Sequence, residues 1–481
     1  MPVWYNYVGS KTYQAPEAHA MKSISQTTQQ MESISKKTSA FFRRYHVGQI
    51  LRAANACKLK GFSSILVFLV LVSIIFENRS LYMQRRLHED SLPFGKDTAY
   101  RFLNSCHTNW RKFTLLLAAR IINETIKPLT DAGRRCAIVV DDSLFSRSRS
   151  KRVELLANVY DHVSRRYTKG FRLLVLGWTD GNTFLPLTFC LLSTSKEKNR
   201  LNEASASVDA RSNGGKQRKL AQMEAPAVVL NLLQEVKATG IPAQYVLFDT
   251  WFCSPSSLKA IHDLGYDVTA MAKKSKKVRY LCEGKISNVK AIYKEHKKRR
   301  GRSRYLLSVD AVAMKQGESL VPVRLVFVRN RNKRKDYLVL VTTDLSLSEE
   351  EVIQLYGKRW GIEVFFKACK SYLRLGKDCR SVSYDAMTAH VAVVCTRYML
   401  LAVEERENTD GRSLGELFYL GLDELPDLKY MEALRLVLQE FAEQLRAEYP
   451  SEVLLVESLL ERFLNDLPAL WMSRLRAQKC A

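Results

Sequence analysis

Blocks of apolar and polar positions divide the middle of the chain into predicted strands and helices. Buried strands are predicted at five short apolar runs, Cys136–Val140, Phe171–Trp178, Thr183–Leu192, Gln244–Phe248 and Asp267–Ala272. The sequence Thr-Asp-Gly-Asn at 179–182 is a strong hairpin signal between the second and third runs. Helical spacing predicts helices at Met223–Thr239 and Ser257–Leu264, whereas the polar segment Lys196–Lys219 is predicted to be a flexible loop.

The resulting order is strand, strand, strand, helix, strand, helix, strand. Three strands, of which the second and third are joined by a hairpin, are followed by alternating helices and strands. This order is typical of an α/β fold with a ribonuclease-H-like core. Further strand-like runs predict a β-rich insertion, at Tyr305–Ala313, Leu320–Val328 and Tyr337–Thr342. Beyond it, Ser346–Leu375 is predicted to be one long helix, with Ser348 and Glu351 spaced as a capping box.

Helical patterns flank this core on both sides. We therefore predict five regions: a helical N-terminal region (1–125), the first part of the core (126–272), the β-strand insertion (273–345), the second part of the core (346–400) and a helical C-terminal region (401–481). The short helices of the first region carry basic residues, among them Arg43, Arg44 and Arg101, which suits a small DNA-binding unit. The first region is almost equally well interpreted as a helical cap on the core. The last, rich in Leu and Glu, is a candidate for dimerisation or a packing cap. Phe62–Phe76 is nearly all apolar but shorter than the roughly 20 residues that span a bilayer, which favours a buried helix.

The composition indicates which class of molecule the protein binds. Lys and Arg number 75 against 49 Asp and Glu, giving a net charge of +26, and such an excess attracts polyanions. Nucleic acid is the first candidate, with a ribosome-associated or membrane-surface protein as the alternative. Ten scattered cysteines without a Cys-x-x-Cys pair, and no secretory signal pattern, indicate a reducing, cytoplasmic location and no structural metal.

Three basic clusters lie in the predicted insertion, at Lys273–Arg279, Lys297–Arg304 and Arg329–Lys335. A charge run is usually a solvated face, but three clusters separated by strands favour a surface that contacts phosphates. The candidate DNA-binding residues of the middle cluster are Lys297, Lys298, Arg299 and Arg300.

Acidic residues follow two of the predicted strands. Asp141 and Asp142 come after the first run, and Asp249 comes after the fourth. Strand ends of an open sheet are where ligands meet the fold, and paired carboxylates bind hard divalent cations. Taken singly, each Asp is as easily explained by the start of a turn.

A polar stripe on the predicted long helix favours a metal site over a simple turn at these aspartates. Tyr356, Arg359, Glu363 and Lys370 are spaced by 3, 4 and 7 residues, which places them on one helix face, with Lys367 beside them. An exposed face with an Arg359–Glu363 ion pair is the simpler interpretation. Because apolar residues crowd the rest of the helix, a carboxylate among donors is better explained by a metal site bordered by phosphate contacts.

The spacing Tyr356-x2-Arg359-x3-Glu363-x6-Lys370 resembles the Y-R-E-K signature of the DDE transposases of the insertion-sequence-four family. The Asp-Asp-Ser at 141–143 and the Asp-Thr-Trp-Phe at 249–252 resemble the first and second catalytic segments of that family. The resemblance covers roughly residues 96–400.

The resemblance implies a catalytic, metal-binding triad of Asp142, Asp249 and Glu363. Asp142 is preferred because it directly precedes Ser143, but neighbouring strand residues face opposite ways, so Asp141 is the alternative. It also implies that Tyr356, Arg359 and Lys370 hold DNA phosphates near the cut, and Lys367 beside them is a further candidate for binding DNA.

The implied activity is cutting of transposon ends and their joining to target DNA, with Mg²⁺ as cofactor and Mn²⁺ as a substitute. The implied partners are double-stranded DNA, as terminal inverted repeats and target, and a second copy of the chain in a paired-end complex, with no membrane. A catalytically silent DNA-binding protein derived from such an enzyme, and a nuclease of the same fold, are the alternatives.

Overall fold

The computed structural model describes residues 36–407 apart from 59, 78–92, 132, 162–163, 195, 300–302 and 331–335. The chain divides into two units. Lys36–Ile75 and Arg79–Phe418 form the first, and Met1–Ser35, Phe76–Asn78 and Tyr419–Ala481 form the second. Almost all described residues belong to the first unit. The C-terminal segment proposed for dimerisation therefore lies, from residue 408 onward, outside the described residues.

One mixed sheet organises the first unit. Its strands are β1 (Ala137–Ser146), β2 (Ala157–Asp161), β3 (Arg166–Thr179), β4 (Phe184–Leu192), β5 (Tyr245–Phe248), β6 (Asp267–Met271), β7 (Arg279–Cys282), β8 (Lys285–Ser287), β9 (Tyr305–Lys315), β10 (Glu318–Arg329) and β11 (Tyr337–Thr342). The strands are ordered β2-β3-β1-β5-β6-β11-β10-β9-β7-β8, and β4 also pairs with β3.

The pairing directions identify the fold. β3 and β4 form the predicted antiparallel hairpin, and β3 is antiparallel to β1. β5 and β6 then continue the sheet parallel to β1, with helices in the connections between them. Three antiparallel strands followed by two parallel ones, in the order β4-β3-β1-β5-β6, are the ribonuclease-H-like core that the element order predicted.

The inserted strands extend the same sheet. β11 pairs antiparallel with β6, and β10 and β9 follow as antiparallel neighbours. The three predicted strand runs of the insertion are confirmed by β9, β10 and β11. The sequence pattern missed β7, β8 and the helix Val289–Glu295, which are all too short to show a clear period.

Helices cover the sheet and the N-terminal side of the unit. Residues 36–44 are helical, and the other α-helices are Val47–Ala53, Ser64–Ser73, Lys96–Leu103, Trp110–Ile121, Asn213–Ala221, Ala225–Lys237, Pro255–Asp263, Val289–Glu295, Glu349–Gly357, Trp360–Ser371 and Tyr384–Glu407. The helix Asn213–Ala221 corrects the expectation that Lys196–Lys219 is a loop throughout. Ser212 caps it by accepting a hydrogen bond from the amide of Gly215.

The helix Tyr384–Glu407 forms the centre of the helical layer. It packs against the helices Trp110–Ile121 and Ser64–Ser73 and against β4. Buried Arg397 donates to the carbonyl oxygens of Leu71 and Val72, at 2.6 and 3.1 Å, and so fastens the N-terminal helices to it. The described N-terminal helices thus pack on the core, and whether they bind DNA stays a prediction.

Two apolar helices are long or apolar enough to raise the question of a membrane. In the described part of the chain, the helix Tyr384–Glu407 is long and apolar enough to span a membrane, but its apolar stretch is entirely buried inside the protein. Ser64–Ser73, the helix in the run Phe62–Phe76, buries Val67, Phe68 and Leu71. Burial of this kind is typical of core helices, as the sequence predicted for the shorter one.

Candidate active site

β1 is longer than predicted and carries both adjacent aspartates within the strand. β5 pairs with β1 only over Ala137–Val140, where the last pair is Val140 with Phe248. One further step in this register brings Asp141 opposite Asp249. Because side chains alternate along strands, these two carboxylates lie on the same face of the sheet, at the edge where β5 ends.

Asp141 lies in a partly buried and strongly charged environment. Burial raises the pKa of its carboxyl group to about 7; the backbone amide of Asp142, which donates to Oδ1 at 2.8 Å, opposes this rise, and the negative charge of Asp249 adds to it. Nη1 of Arg359 lies 3.4 Å from Oδ2 of Asp141. Two acidic groups and one guanidinium thus meet at this edge.

Asp142 points to the opposite face. Its carboxylate forms a two-pronged ion pair with Arg172 of β3, in which Nε donates to Oδ2 and Nη2 donates to Oδ1. The side chain of Asp142 is only 6% exposed. The geometry therefore disagrees with the choice of Asp142 as the metal ligand and favours Asp141, because strand alternation turns only one of the two toward Asp249.

Glu363 reaches the site from the helix Trp360–Ser371, which packs against β1 and β4. Nη2 of Arg359 donates to Oε1 of Glu363 while Nη1 faces Asp141. The Arg359 guanidinium thus bridges the two carboxylates. This is the Arg359–Glu363 ion pair of the simpler interpretation, but it is half-buried and includes Asp141.

The segment predicted as one long helix is broken next to Arg359. Glu349–Gly357 and Trp360–Ser371 are separate helices, and the amides of Lys358 and Arg359 bond three residues back instead of four. The predicted capping box of Ser348 and Glu351 is confirmed. A Cβ at Gly361 would lie 3.3 Å from Phe184, so glycine permits close packing of the second helix on β4.

Two donors beside the carboxylates have no partner among the described residues. The Tyr356 hydroxyl and Nε of Arg359 are buried and make no hydrogen bond there. Burial raises the pKa of Tyr356 to about 12, against the opposing charge of Arg359. A neutral hydroxyl and a guanidinium N–H beside acidic groups suit an incoming phosphate oxygen.

Lys370 marks the other end of the polar stripe. Its Nζ donates to Oγ of Ser143 at 2.6 Å, and Ser143 lies on the same strand face as Asp141. Burial lowers the pKa of Lys370, and the charge of Asp161 opposes that change. Lys367, by contrast, is exposed. Ser143 and Arg172 are the polar partners that sequence reasoning missed, because only the strand register reveals them.

The basic cluster of the insertion lies away from the carboxylates in the sheet order. Lys297, Lys298 and Arg299 precede β9, which is separated from β1 by four strands. Nζ of Lys298 lies 4.8 Å from the ring centre of Tyr293, and the guanidinium of Arg299 lies 4.4 Å from that of Tyr305. Arg300 is outside the described residues.

A divalent cation of the hard type requires several oxygen ligands that converge on one point. Within the residues that the structure describes, no three His, Cys, Asp or Glu side chains converge into a metal-binding group. The Arg359 guanidinium lies between Asp141 and Glu363. The chemistry nevertheless fits, because carboxylate oxygens are the preferred ligands of hard cations and the charge of Asp249 raises the pKa of Asp141.

A comparison with known protein families identifies one family that the chain matches. A family model described as "DDE superfamily endonuclease" matches residues 77–319, half of the chain. This segment includes Asp141, Asp142 and Asp249 and ends before Glu363. No curated protein matches the chain.

Among solved structures, a chain of the "Drosophila P element transposase strand transfer complex" is 12% identical, with a TM-score of 0.21. The match covers 49% of this chain and 49% of that chain, so the chain spans about half the length of that neighbour. The family match, together with the ribonuclease-H-like core and the acidic edge of its sheet, shows that the chain belongs to the DDE superfamily endonucleases.

Proposed function

We propose that this endonuclease is a DNA transposase, of the insertion-sequence-four type, that cuts the ends of an element and joins them to target DNA. The observation that carries the proposal is the meeting of Asp141 and Asp249 on one sheet face, with Arg359 linking Glu363 to them. The Y-R-E-K spacing of Tyr356, Arg359, Glu363 and Lys370 adds the resemblance to that family.

Asp141, Asp249 and Glu363 are the residues that would hold a divalent cation, Mg²⁺ or in its place Mn²⁺. When bound, such ions activate the attacking oxygen and stabilise the leaving oxygen of a phosphodiester. This assignment replaces Asp142 by Asp141. Glu363 joins the other two carboxylates when Arg359 turns from Asp141 toward a DNA phosphate.

The remaining polar residues position the DNA strand. Tyr356 and Arg359 offer a hydroxyl and a guanidinium N–H that are unsatisfied within the described residues, and both suit non-bridging phosphate oxygens. Lys370, held by Ser143, adds a positive charge on the same face. In the first step water attacks the phosphorus atom and a 3′-hydroxyl leaves; in the second, that 3′-hydroxyl attacks a target phosphodiester and another 3′-oxygen leaves.

The partners follow from this activity. Double-stranded DNA is the substrate, as terminal inverted repeats and as target, and the positive charges at 297–300 and Lys367 contact its backbone. Two ends must be processed together and each chain carries one site, so we propose a homodimer in a paired-end complex. The chain works without a membrane, in the cytoplasm on nucleoid DNA.

The test is incubation of the purified protein with Mg²⁺, candidate element ends and a target plasmid. Joined products are expected from the wild type. Asp249→Asn and Glu363→Gln should abolish them while end binding, measured by band shift, stays within about three-fold. Cleavage without joining would identify a nuclease of the same fold, and binding without cleavage would identify a catalytically silent DNA-binding protein; either outcome overturns the proposal.

A further inference from the structure

A cavity lies between the N-terminal helices and the segment that leads into the helix Tyr384–Glu407. Its volume is about 380 Å³, which falls in the range of small-ligand sites. One wall comes from the helix Ser64–Ser73 with the turn after it and from the helix Lys96–Leu103, and the other comes from residues 377–381 and the helix Tyr384–Glu407. The described residues that line this cavity include none of those in the candidate active site.

Positive charge predominates among the residues that line the cavity. Lys377 and Arg380 are exposed, whereas Arg397 is buried in the helix wall with 4% exposure. Asp378 is the acidic residue in the described lining, and its Oδ1 lies 3.5 Å from Nη1 of Arg374. Three cations and one carboxylate leave the lining with a charge of 3 − 1 = +2.

Arg397 is the buried cation of this lining. Its Nε and Nη2 donate to the carbonyl oxygens of Val72 and Leu71, but Nη1 has no hydrogen-bond partner among the described residues. Burial lowers the pKa of Arg397 to about 10, and the charge of Asp378 opposes this change. Burial also lowers the pKa of His390 to about 3, so its ring adds no charge to the lining at neutral pH. A buried guanidinium at the wall of a cavity needs a compensating anion.

Much of the remaining lining is apolar. It is formed by Leu71, Ile74, Leu103 and Val393, with the ring of Tyr100, which is 44% exposed. An inorganic ion would leave these side chains in contact with water, whereas an apolar or aromatic group would cover them. The cavity therefore suits a ligand with an anionic end and an apolar end.

We propose that this cavity binds a small organic phosphomonoester, with its phosphate at Lys377, Arg380 and Arg397 and its apolar part against the opposite lining. A phosphomonoester carries about −1.5 to −2 charges at neutral pH, which balances the charge of the lining, and its three oxygens accept several hydrogen bonds. A carboxylate supplies one negative charge only. A phosphodiester within duplex DNA also carries one charge and is flanked by a sugar on both sides, so it fits the cavity less well than a terminal phosphate.

The bound ligand would link the N-terminal helices to the helix Tyr384–Glu407. Because a ligand that binds only the folded state stabilises it, the melting temperature should rise with ligand concentration. The site requires no DNA chemistry, so failure of the proposed transposase activity would leave it standing.

The probe is phenyl phosphate, titrated calorimetrically into the full-length protein without DNA at constant ionic strength. We expect one saturable site per chain, with inorganic phosphate, benzoate and phenol each bound at least about ten-fold more weakly. Lys377→Met and Arg380→Met should each weaken binding about ten-fold, as expected for one lost charge-assisted hydrogen bond. Lys315→Met is the matched control, because Lys315 is an exposed lysine of β9 outside the cavity lining, and it should stay within about two-fold of wild type.

Unchanged affinity in both Lys377→Met and Arg380→Met would overturn the site. So would equal weakening in Lys315→Met, which would show a general attraction to the basic surface, and so would equal binding of inorganic phosphate. A duplex with and without a 5′-phosphate then competes with phenyl phosphate. Competition by neither duplex would support a free small molecule as the ligand, and competition by the phosphorylated duplex alone would support a DNA end as the source of the same terminal phosphate. Equal competition by both would overturn the proposal.

Discussion

Replacing Arg218 with methionine is expected to destabilise the protein far more than the loss of a surface ion pair. Arg218 donates to Glu154 at 2.5 and 2.9 Å and to Asp385 at 2.9 and 2.8 Å. The three side chains are 5%, 9% and 6% exposed. The network ties the helix Asn213–Ala221 to the segment before β2 and to the start of the helix Tyr384–Glu407.

The expected loss of stability follows from the buried charges that the substitution leaves unpaired. Methionine fills much of the same volume, so the main cost is that two buried carboxylates lose their cation, which costs about 3–5 kcal/mol. In the variant, Glu154 still accepts hydrogen bonds from the backbone amides of Ser205 and Tyr384, at 2.6 and 3.0 Å. We therefore expect a loss of stability toward the lower end of this range.

The stability that Arg218 and Glu154 contribute should depend on pH in a definite direction. Burial alone raises the pKa of Glu154, but hydrogen bonds from Arg218 and the amides of Ser205 and Tyr384 outweigh it and hold the pKa below its usual value. This stabilisation is complete above the unfolded-state pKa, about 4.3, and is lost as the pH falls through the lower folded-state value. In Arg218→Met the carboxylate stays buried without its cation, so the deficit should be largest near neutral pH and shrink on acidification.

Urea unfolding of wild type and variant at neutral pH and near pH 4.5 measures this deficit. Arg211→Met is the matched control, because Arg211 is 92% exposed in its pair with Asp209 and should cost less than about 0.5 kcal/mol. A deficit below about 1 kcal/mol for Arg218→Met, or one that grows on acidification, would refute the reasoning.

Two further predictions concern DNA. Changing Lys297, Lys298 and Arg299 to Gln should reduce the slope of log affinity against log salt by about 0.9 for each phosphate that these side chains neutralise, as measured by band shift; an unchanged slope would show a merely solvated cluster. Lys370→Met removes the charge held by Ser143 and should slow cleavage about ten- to a hundred-fold in a gel assay with Mg²⁺; wild-type activity would remove Lys370 from the site.

The fold was largely predictable because its signals are local. The apolar runs that became β1, β5 and β6, and the Asp-Gly turn between β3 and β4, lie within short windows of sequence. The break between Gly357 and Trp360 was missed, since the polar stripe continues across it.

The members of the candidate site stay predictions from the sequence, whereas their geometry could not be read from it. Asp249 and Glu363 follow from strand ends and motif spacing. The choice between Asp141 and Asp142 depends on which strand face meets β5 and the helix Trp360–Ser371, and this is set by pairing with residues more than 30 positions away. The bond from Arg172 to Asp142 is equally nonlocal, so no window of sequence contains it.

The most direct test of the account is a comparison of Asp141→Asn and Asp142→Asn in cleavage of DNA with Mg²⁺. Asp141 shares a sheet face with Asp249, whereas Asp142 is bonded to Arg172 on the other face. We expect Asp141→Asn to lose cleavage by about three orders of magnitude while DNA binding persists. Asp142→Asn should retain cleavage within about ten-fold. An active Asp141→Asn beside an inactive, folded Asp142→Asn would contradict the assignment.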